Sequence, residues 1–292
     1  MLVGPALAAA VVAAVWSAAI APARADDEFR EIETKYIFGF TIGSGIGLEG
    51  EREFSTETTA AFGKRDGSYK ASETKLEFEY TPNQYIQIEL GALVASHNIR
   101  DVTDLDNRNQ VALSGAFGEL RYLAVERGPS SPFAVTLSVE PAVRRIDDTS
   151  GEKVRNFELE TRIAADTELI ANRLYLGFNA LYEPEWTRTA SGDFAREATV
   201  GMSSALDWRP LPALVIGAEV GYFRHYDSIG LNTFVGDALF IGPTFYYKLS
   251  RKTFMTAAWA TQVAGRSTEV PGALNLTEFS RQRGKLKFAV EF

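Results

Sequence analysis

From Glu51 onward, hydrophobic and polar residues alternate with a period of two along most of the chain. The last strand-like segment shows this most clearly, because its apolar positions alternate with lysine, alanine and glutamate. Those apolar positions are Leu286, Phe288, Val290 and Phe292. Such alternation is typical of a strand with one apolar face. No comparable helical periodicity is sustained in this region, so the pattern predicts an all-β protein.

The alternating segments predict twelve strands separated by turn-forming residues. They are Glu51–Phe62, Tyr69–Tyr80, Tyr85–Ile99, Gln110–Val125, Phe133–Ile146, Val154–Asp166, Arg173–Arg188, Phe194–Trp208, Ala213–Tyr226, Ala238–Leu249, Thr253–Ala264 and Arg281–Phe292. Most are well above the 5–6 residues usual in soluble sheets. They are long enough for a tilted strand to cross a membrane, which takes about 9–11 residues. The fourth strand is the least regular, because Leu113, Phe117 and Arg121 share one predicted face.

The predicted connections alternate in length, and this asymmetry favours a barrel over a sandwich. Connections after odd-numbered strands are longer than those after even-numbered strands, except for the short segment 64–68. An even strand number brings both termini to the same end. We therefore predict a closed antiparallel up-and-down transmembrane β-barrel over residues 51–292, with the last strand pairing with the first. Closure removes the unpaired edges that lipid would not tolerate.

Aromatic residues cluster near the predicted strand ends, as in the girdles of membrane barrels. They include Tyr80, Tyr85, Trp186, Trp208, Tyr222, Tyr226, Tyr247 and Phe254. The apolar faces between these ends would contact lipid, and the charged faces would line the lumen. In a sandwich, the same charged residues would instead form an exposed face.

The predicted lumen carries more acidic than basic residues. Its principal members are Glu77, Glu79, Glu89, Glu119, Arg121, Glu140, Arg144, Glu158, Glu160, Arg162, Glu219, Lys248, Lys285 and Lys287. In an open lumen of roughly 10–12 Å, this excess of acid would concentrate cations. Pairing between arginine and glutamate side chains could equally close the passage.

Composition narrows the classes of function. The chain of 292 residues has no cysteine, which excludes disulfides and thiolate metal sites. A mean hydropathy of −0.10 is too polar for a bundle of membrane helices. A formal charge of −8 argues against nucleic acid as a partner. We predict neither a metal site nor a cofactor.

The N-terminus has the features of an export signal. Residues 1–21 are mostly apolar, and Ala23 and Ala25 form a small-x-small cleavage motif, which predicts a signal peptide over residues 1–25. An uncleaved anchor helix is the alternative. Residues 26–50 do not follow the strand pattern and are rich in glycine towards their end. They are either a periplasmic extension that plugs the lumen or a flexible leader.

Two groups of polar residues are candidates for chemistry. A histidine and a serine could form a hydrolytic site if Asn232 oriented them, but the spacing of His225 and Ser228 does not put them on one strand face. This favours an interfacial or loop histidine. The second group is an oxygen-rich loop that lacks the calcium-binding spacing of an EF-hand. It comprises Asp101, Asp104, Asp106 and Asn107. We predict that the protein is not an enzyme.

The export signal, the twelve strands and the terminal Phe292 together resemble Gram-negative outer-membrane β-barrels. Segments 230–239, 242–244 and 259–265 resemble an uncharacterised family of putative outer-membrane transporters. The final strand is similar to the signal that the barrel-assembly machinery reads. The resemblance implies location in the outer membrane, with lipid, periplasmic chaperones and that machinery as partners.

Three functions follow from these expectations. The first is a passive channel or transporter for small solutes or ions. The second is a non-conducting structural or binding barrel whose lumen is filled by salt bridges. An outer-membrane lipid hydrolase is a distant third.

Overall fold

The computed structural model describes residues 34–128 and 131–292, and in these ranges twelve strands form one closed antiparallel barrel. The strands are β1 (Arg52–Phe62), β2 (Ser68–Asn83), β3 (Ile86–Arg100), β4 (Arg108–Val125), β5 (Phe133–Ile146), β6 (Lys153–Ile170), β7 (Leu174–Thr189), β8 (Phe194–Leu211), β9 (Leu214–Tyr226), β10 (Phe234–Ser250), β11 (Thr253–Ser267) and β12 (Gln282–Glu291). Each strand pairs with its sequence neighbours, and β12 closes the barrel on β1. The predicted fold class and strand number are confirmed. The predicted signal peptide and its cleavage site at Ala23 and Ala25 lie outside the described residues.

The two ends of the barrel differ in their connections. At one end, the short-turn end, two-residue turns join strands at 84–85, 212–213 and 251–252. At the other end, the long-loop end, the connections include 101–107 and 268–281. The segment 126–132 is longer than the other connections at the short-turn end. β1 starts and β12 finishes at the short-turn end, so the C-terminus lies there.

The outer surface of the barrel is apolar and its interior is polar, the reverse of a soluble protein. Leu90 is 61% exposed and Trp208 51% exposed on the outside, whereas Glu77 and Lys287 are buried inside. This arrangement matches a barrel surrounded by lipid. Across the two ranges that the structure describes, no helix is long and apolar enough to span a membrane.

A β-bulge in β4 explains its irregular pattern. Leu93 pairs with Gly115 and Val94 pairs with Leu113, so Ser114 is an extra residue in the ladder. The extra residue reverses the alternation. Leu113 therefore points outwards while Phe117 is buried inside. The prediction that these two residues share a face was wrong, because a period of two cannot reveal an inserted residue.

Two strand boundaries differ from the prediction by four residues. β6 ends at Ile170 and not at the predicted Asp166. β10 begins at Phe234, four residues before the predicted start at Ala238. A register shift between Phe234 and Gly236 leaves Val235 as an extra residue, and Gly236 continues the ladder by pairing with His225 of β9. The sequence predicts a loop there, since glycine and aspartate are depleted in strands.

Candidate functional site

The barrel interior holds all fourteen residues predicted to line the lumen. Twelve of them border one cavity of about 620 Å³: Glu77, Glu89, Glu119, Arg121, Glu140, Arg144, Glu158, Glu160, Arg162, Glu219, Lys285 and Lys287. Glu79 is buried and contacts the N-terminal segment instead. Lys248 pairs in register with the buried Phe254 near the short-turn end.

Residues 34–47, here called the inner segment, lie inside the barrel ahead of β1. Most of their side chains are buried, and the chain becomes exposed only at Leu48. The segment begins with a 3₁₀ turn, Thr34–Tyr36, and folds back so that the Gly43 amide donates to the Lys35 carbonyl at 3.0 Å. A β-carbon on Gly43 would lie 1.9 Å from the Thr34 carbonyl oxygen, so only glycine fits at this fold.

Lys35 is the main electrostatic anchor of the inner segment. Its ammonium donates to Glu79 at 2.6 Å and also to Glu89, and all three side chains are at most 5% exposed. Burial alone would lower the pKa of Lys35, but the two carboxylates hold it above its ordinary value. Tyr36 donates its hydroxyl to Glu79 at 2.7 Å, and burial raises the pKa of this phenol. These contacts hold the start of the segment against β2 and β3.

Carboxylates and an amide from the barrel wall satisfy the backbone of the inner segment. Glu219 accepts the amides of Phe40 at 3.0 Å and Thr41 at 2.9 Å. Asn179 accepts the Ile42 amide at 2.7 Å and donates to the Ile42 carbonyl at 2.6 Å. Because these backbone groups are buried without a sheet partner, the wall side chains replace the bonds that water would make.

Further strands complete this network. Asp166 of β6 accepts the Ser44 amide at 2.5 Å and the Ser44 hydroxyl at 2.7 Å. Arg121 of β4 donates to the Gly43 carbonyl at 2.9 Å, and Thr256 of β11 donates to the Tyr36 carbonyl at 2.6 Å. The inner segment therefore contacts strands on all sides of the lumen.

An apolar cluster fixes the same segment at the short-turn end. Tyr36 stacks on Phe254 with ring centroids 5.3 Å apart, and Phe254 stacks on Tyr246 at 5.5 Å. Phe38 packs over Gly177, where a β-carbon would lie 2.8 Å from the ring. The predicted place of Phe254 in an outer aromatic girdle was wrong, because its ring faces inwards. The sequence does contain a signal for this cluster. Apolar residues occupy inward positions at the short-turn ends of β7, β8, β9, β10 and β11.

The cavity lies between the inner segment and the long-loop end. The loop 268–281 reaches over it, because Lys64 donates to the carbonyls of Thr277 at 2.8 Å and Glu278 at 3.0 Å. Phe279 packs edge-on against Phe240 at 6.3 Å. Burial lowers the pKa of Lys64 to about 8, although Glu278 raises it in part.

Most cations of the cavity wall are paired with carboxylates. Lys75 contacts Glu140 at 2.6 Å, Arg162 contacts Glu160 at 2.7 Å, Lys285 contacts Glu57 at 3.0 Å and Lys287 contacts Glu77 at 2.5 Å. Arg144 bridges Glu73 and Glu158. The pairing predicted as a way to close the lumen is therefore extensive along its walls.

Not every charged group at the cavity follows this pattern, and Glu183 and Arg283 are two exceptions. Within the described residues, neither Glu183 nor Arg283 forms an ion pair. The Arg283 guanidinium lies between the rings of Phe40, Phe223 and Phe240, at 4.6, 5.2 and 5.4 Å from their centroids. Cation–π contact keeps this charge at the cavity surface.

One family model matches almost the whole of the chain. Residues 30–292 match the family described as "Family of unknown function (DUF6662)". The chain belongs to this family. No curated protein matches the chain at the sequence level.

Two solved structures, an outer membrane channel and a porin, share this fold. The COG4313 outer membrane channel from Pseudomonas putida F1 has 10% sequence identity and a TM-score of 0.54, with 85% of this chain and 97% of that chain covered. The NanC porin has 10% identity and a TM-score of 0.50, with 81% and 98% covered. At this identity, the likeness of this family member to both proteins shows the fold.

The candidate hydrolytic residues do not assemble in this family member. His225 faces Thr199 at 3.4 Å and Glu197 at 3.8 Å, whereas the Ser228 hydroxyl donates to Asn232. His97, for which the sequence indicates no partner, contacts the Asp148 carbonyl at 2.8 Å.

The oxygen-rich loop after β3 is held together by its own contacts. The Asp101 amide donates to Asn107 at 2.6 Å, and Arg65 and Arg108 lie 3.9 and 3.6 Å from Asp104 and Asp106. The side-chain oxygens of this loop therefore accept a hydrogen bond within the loop or lie near neighbouring arginines.

Proposed function

We propose that the protein is an outer-membrane channel for small solutes or ions, and that the inner segment closes it towards the periplasm. The observation that carries this proposal is a polar cavity of about 620 Å³ inside a closed, apolar-surfaced barrel. The inner segment, which belongs to no strand, fills the lumen on the short-turn side of this cavity. Two proteins with this fold, an outer membrane channel and a porin, support the same function.

The orientation follows from the connections. In outer-membrane barrels the short turns face the periplasm and the longer loops face outwards. The cavity would then open towards the cell exterior, and the inner segment would occupy the periplasmic half. Leu286, Phe288, Val290 and Phe292 would present the assembly signal at the periplasmic end of β12, where chaperones and the assembly machinery would meet it.

We propose a preference for cations. The residues that line the cavity include fourteen acids and nine bases, with histidine counted as neutral. Pairing neutralises most of the bases, and the cavity wall still holds more acidic side chains than basic ones. An acidic passage raises the local concentration of cations and lowers that of anions.

Planar-bilayer conductance tests this function. Deleting residues 26–47 should give stable conductance steps larger than those of the parent, with reversal potentials that show cation preference. Deleting residues 26–33 is the matched control, because it keeps the inner segment and should conduct like the parent. Steps of equal size in all three proteins would reject the closing role.

A non-conducting structural or binding barrel is the second candidate. It is favoured by the burial of Lys35 between Glu79 and Glu89, since such an ion pair resists opening. Silence of the protein lacking residues 26–47 would support this function and reject the channel.

A further inference from the structure

The lipid-facing side of the barrel carries an unpaired group of cations at the long-loop end. Arg155 of β6, Arg188 of β7 and Arg196 of β8, here called the arginine cluster, lie on adjacent strands and are exposed. Their neighbours Asn156, Thr187 and Glu197 face inwards, so the alternation of each strand directs the arginines outwards.

Two members of the arginine cluster face each other across neighbouring strands, and this is unfavourable when no anion lies between them. Arg155 and Arg188 are direct cross-strand partners in the ladder between β6 and β7. Like charges in this position destabilise a sheet. In the described part of the chain, no acidic side chain forms an ion pair with any of the three arginines. On the same rim, by contrast, Arg266 is paired with Asp237 at 3.1 Å.

Aromatic side chains place the cluster at the level of lipid headgroups. Trp186 is the cross-strand partner of Arg196 and also of Phe157, and the rings of Phe157 and Trp186 lie 5.6 Å apart. Phe194 is the partner of Arg188 and lies under Arg196 at 5.2 Å. Such aromatics mark the boundary between hydrocarbon and headgroups.

We infer that the arginine cluster binds the phosphate groups of a phosphorylated glycolipid in the outer leaflet. This inference rests on the proposed outer-membrane location and orientation. Guanidinium groups match phosphate oxygens in a bidentate geometry. A bound phosphate would neutralise the repulsion between Arg155 and Arg188, while the acyl chains would lie along the apolar surface below Trp186.

Native mass spectrometry of the folded barrel in neutral detergent tests the inference, with bisphosphorylated lipid A as the probe. The triple variant Arg155→Gln, Arg188→Gln and Arg196→Gln should bind lipid A at least about tenfold more weakly than the parent. The matched control removes three cations at the short-turn end. Its substitutions are Arg52→Gln, Arg173→Gln and Lys252→Gln, and its affinity should equal that of the parent.

A second measurement separates binding from a general loss of stability. In detergent without lipid A, the cluster variant should melt at a temperature equal to or higher than the parent, because repulsion has been removed. Added lipid A should stabilise the parent and the control but not the cluster variant.

Four outcomes would overturn the inference. They are equal weakening in both triple variants, equal binding of dephosphorylated lipid A, displacement of lipid A by millimolar inorganic phosphate, and a lower melting temperature of the cluster variant without lipid. The test is independent of conductance. A silent barrel that binds lipid A through these arginines would reject only the channel, whereas a conducting barrel without such binding would reject only the lipid site.

Discussion

At the scale of single residues, Lys35 anchors the segment that fills part of the lumen. Its sequence neighbours give no sign of its environment, since its partners Glu79 and Glu89 are 44 and 54 residues away. A lysine that is 2% exposed is stable only when it is paired and hydrogen-bonded. The inner segment and the ends of β2 and β3 are therefore linked by one buried charge.

We predict that Lys35→Met loosens the inner segment. The substitution leaves two carboxylates buried close together, which costs about 3–5 kcal/mol. Hydrogen–deuterium exchange of the amides from Phe40 to Ser44 should become faster by more than about a hundredfold. The control combines Lys35→Met with Glu79→Gln and Glu89→Gln, and its exchange should be closer to that of the parent. Equal protection in the parent and Lys35→Met would contradict this account.

At the scale of elements, the bulge in β4 and the loop 268–281 shape the cavity. The bulge at Ser114 turns Phe117 inwards, where the Lys75 ammonium lies 4.5 Å from its ring. The loop 268–281 is held over the opening by Lys64, which is on the connection between β1 and β2. Two neighbouring connections thus contact each other over the opening at the long-loop end.

We predict that the contact between Lys64 and the loop tightens as the pH rises. The pKa of Lys64 is about 8 in the closed arrangement, against 10.5 for an exposed lysine. Between these values the open form binds more protons, so raising the pH favours the closed form. Glu278, Asp147, Asp148 and His225 face Lys64. From pH 7 to pH 9, the ratio of closed to open loop should rise about tenfold.

A spin label checks this prediction. Because the chain has no cysteine, Ala273→Cys introduces a single labelling site on the loop. The mobile fraction of the electron paramagnetic resonance spectrum should fall between pH 7 and pH 9 in this protein. The spectrum should be independent of pH after Lys64→Met. A mobile fraction that rises with pH would have the wrong sign.

At the scale of the whole molecule, β12 closes the barrel and carries the end of the chain. The ladder with β1 extends from the pair Glu53 and Glu291 to the pair Phe62 and Gln282. The Phe292 amide donates to the Arg52 carbonyl at 2.9 Å, and its side chain is 59% exposed. Its ring lies 6.5 Å from the ring of Phe78 and is otherwise largely exposed, so its main contribution would be recognition during assembly.

We predict that deletion of Phe292 impairs assembly in cells but not folding in detergent. Outer-membrane levels should fall strongly, while the purified protein should refold into detergent as well as the parent. Phe178→Ala is the matched control, because it removes another lipid-facing ring that is 43% exposed. Normal membrane levels without Phe292 would count against an assembly signal at this position.

The sequence by itself determined the fold class, the twelve strands and the largely polar face that most of them turn inwards. These properties are local, because alternation depends only on neighbouring residues. Tertiary structure alone decided that the inner segment fills part of the lumen, that Phe254 packs inside, and which lysine pairs with which carboxylate. These outcomes depend on residues that closure brings together from distant strands, and alternation along one strand carries no information about such contacts.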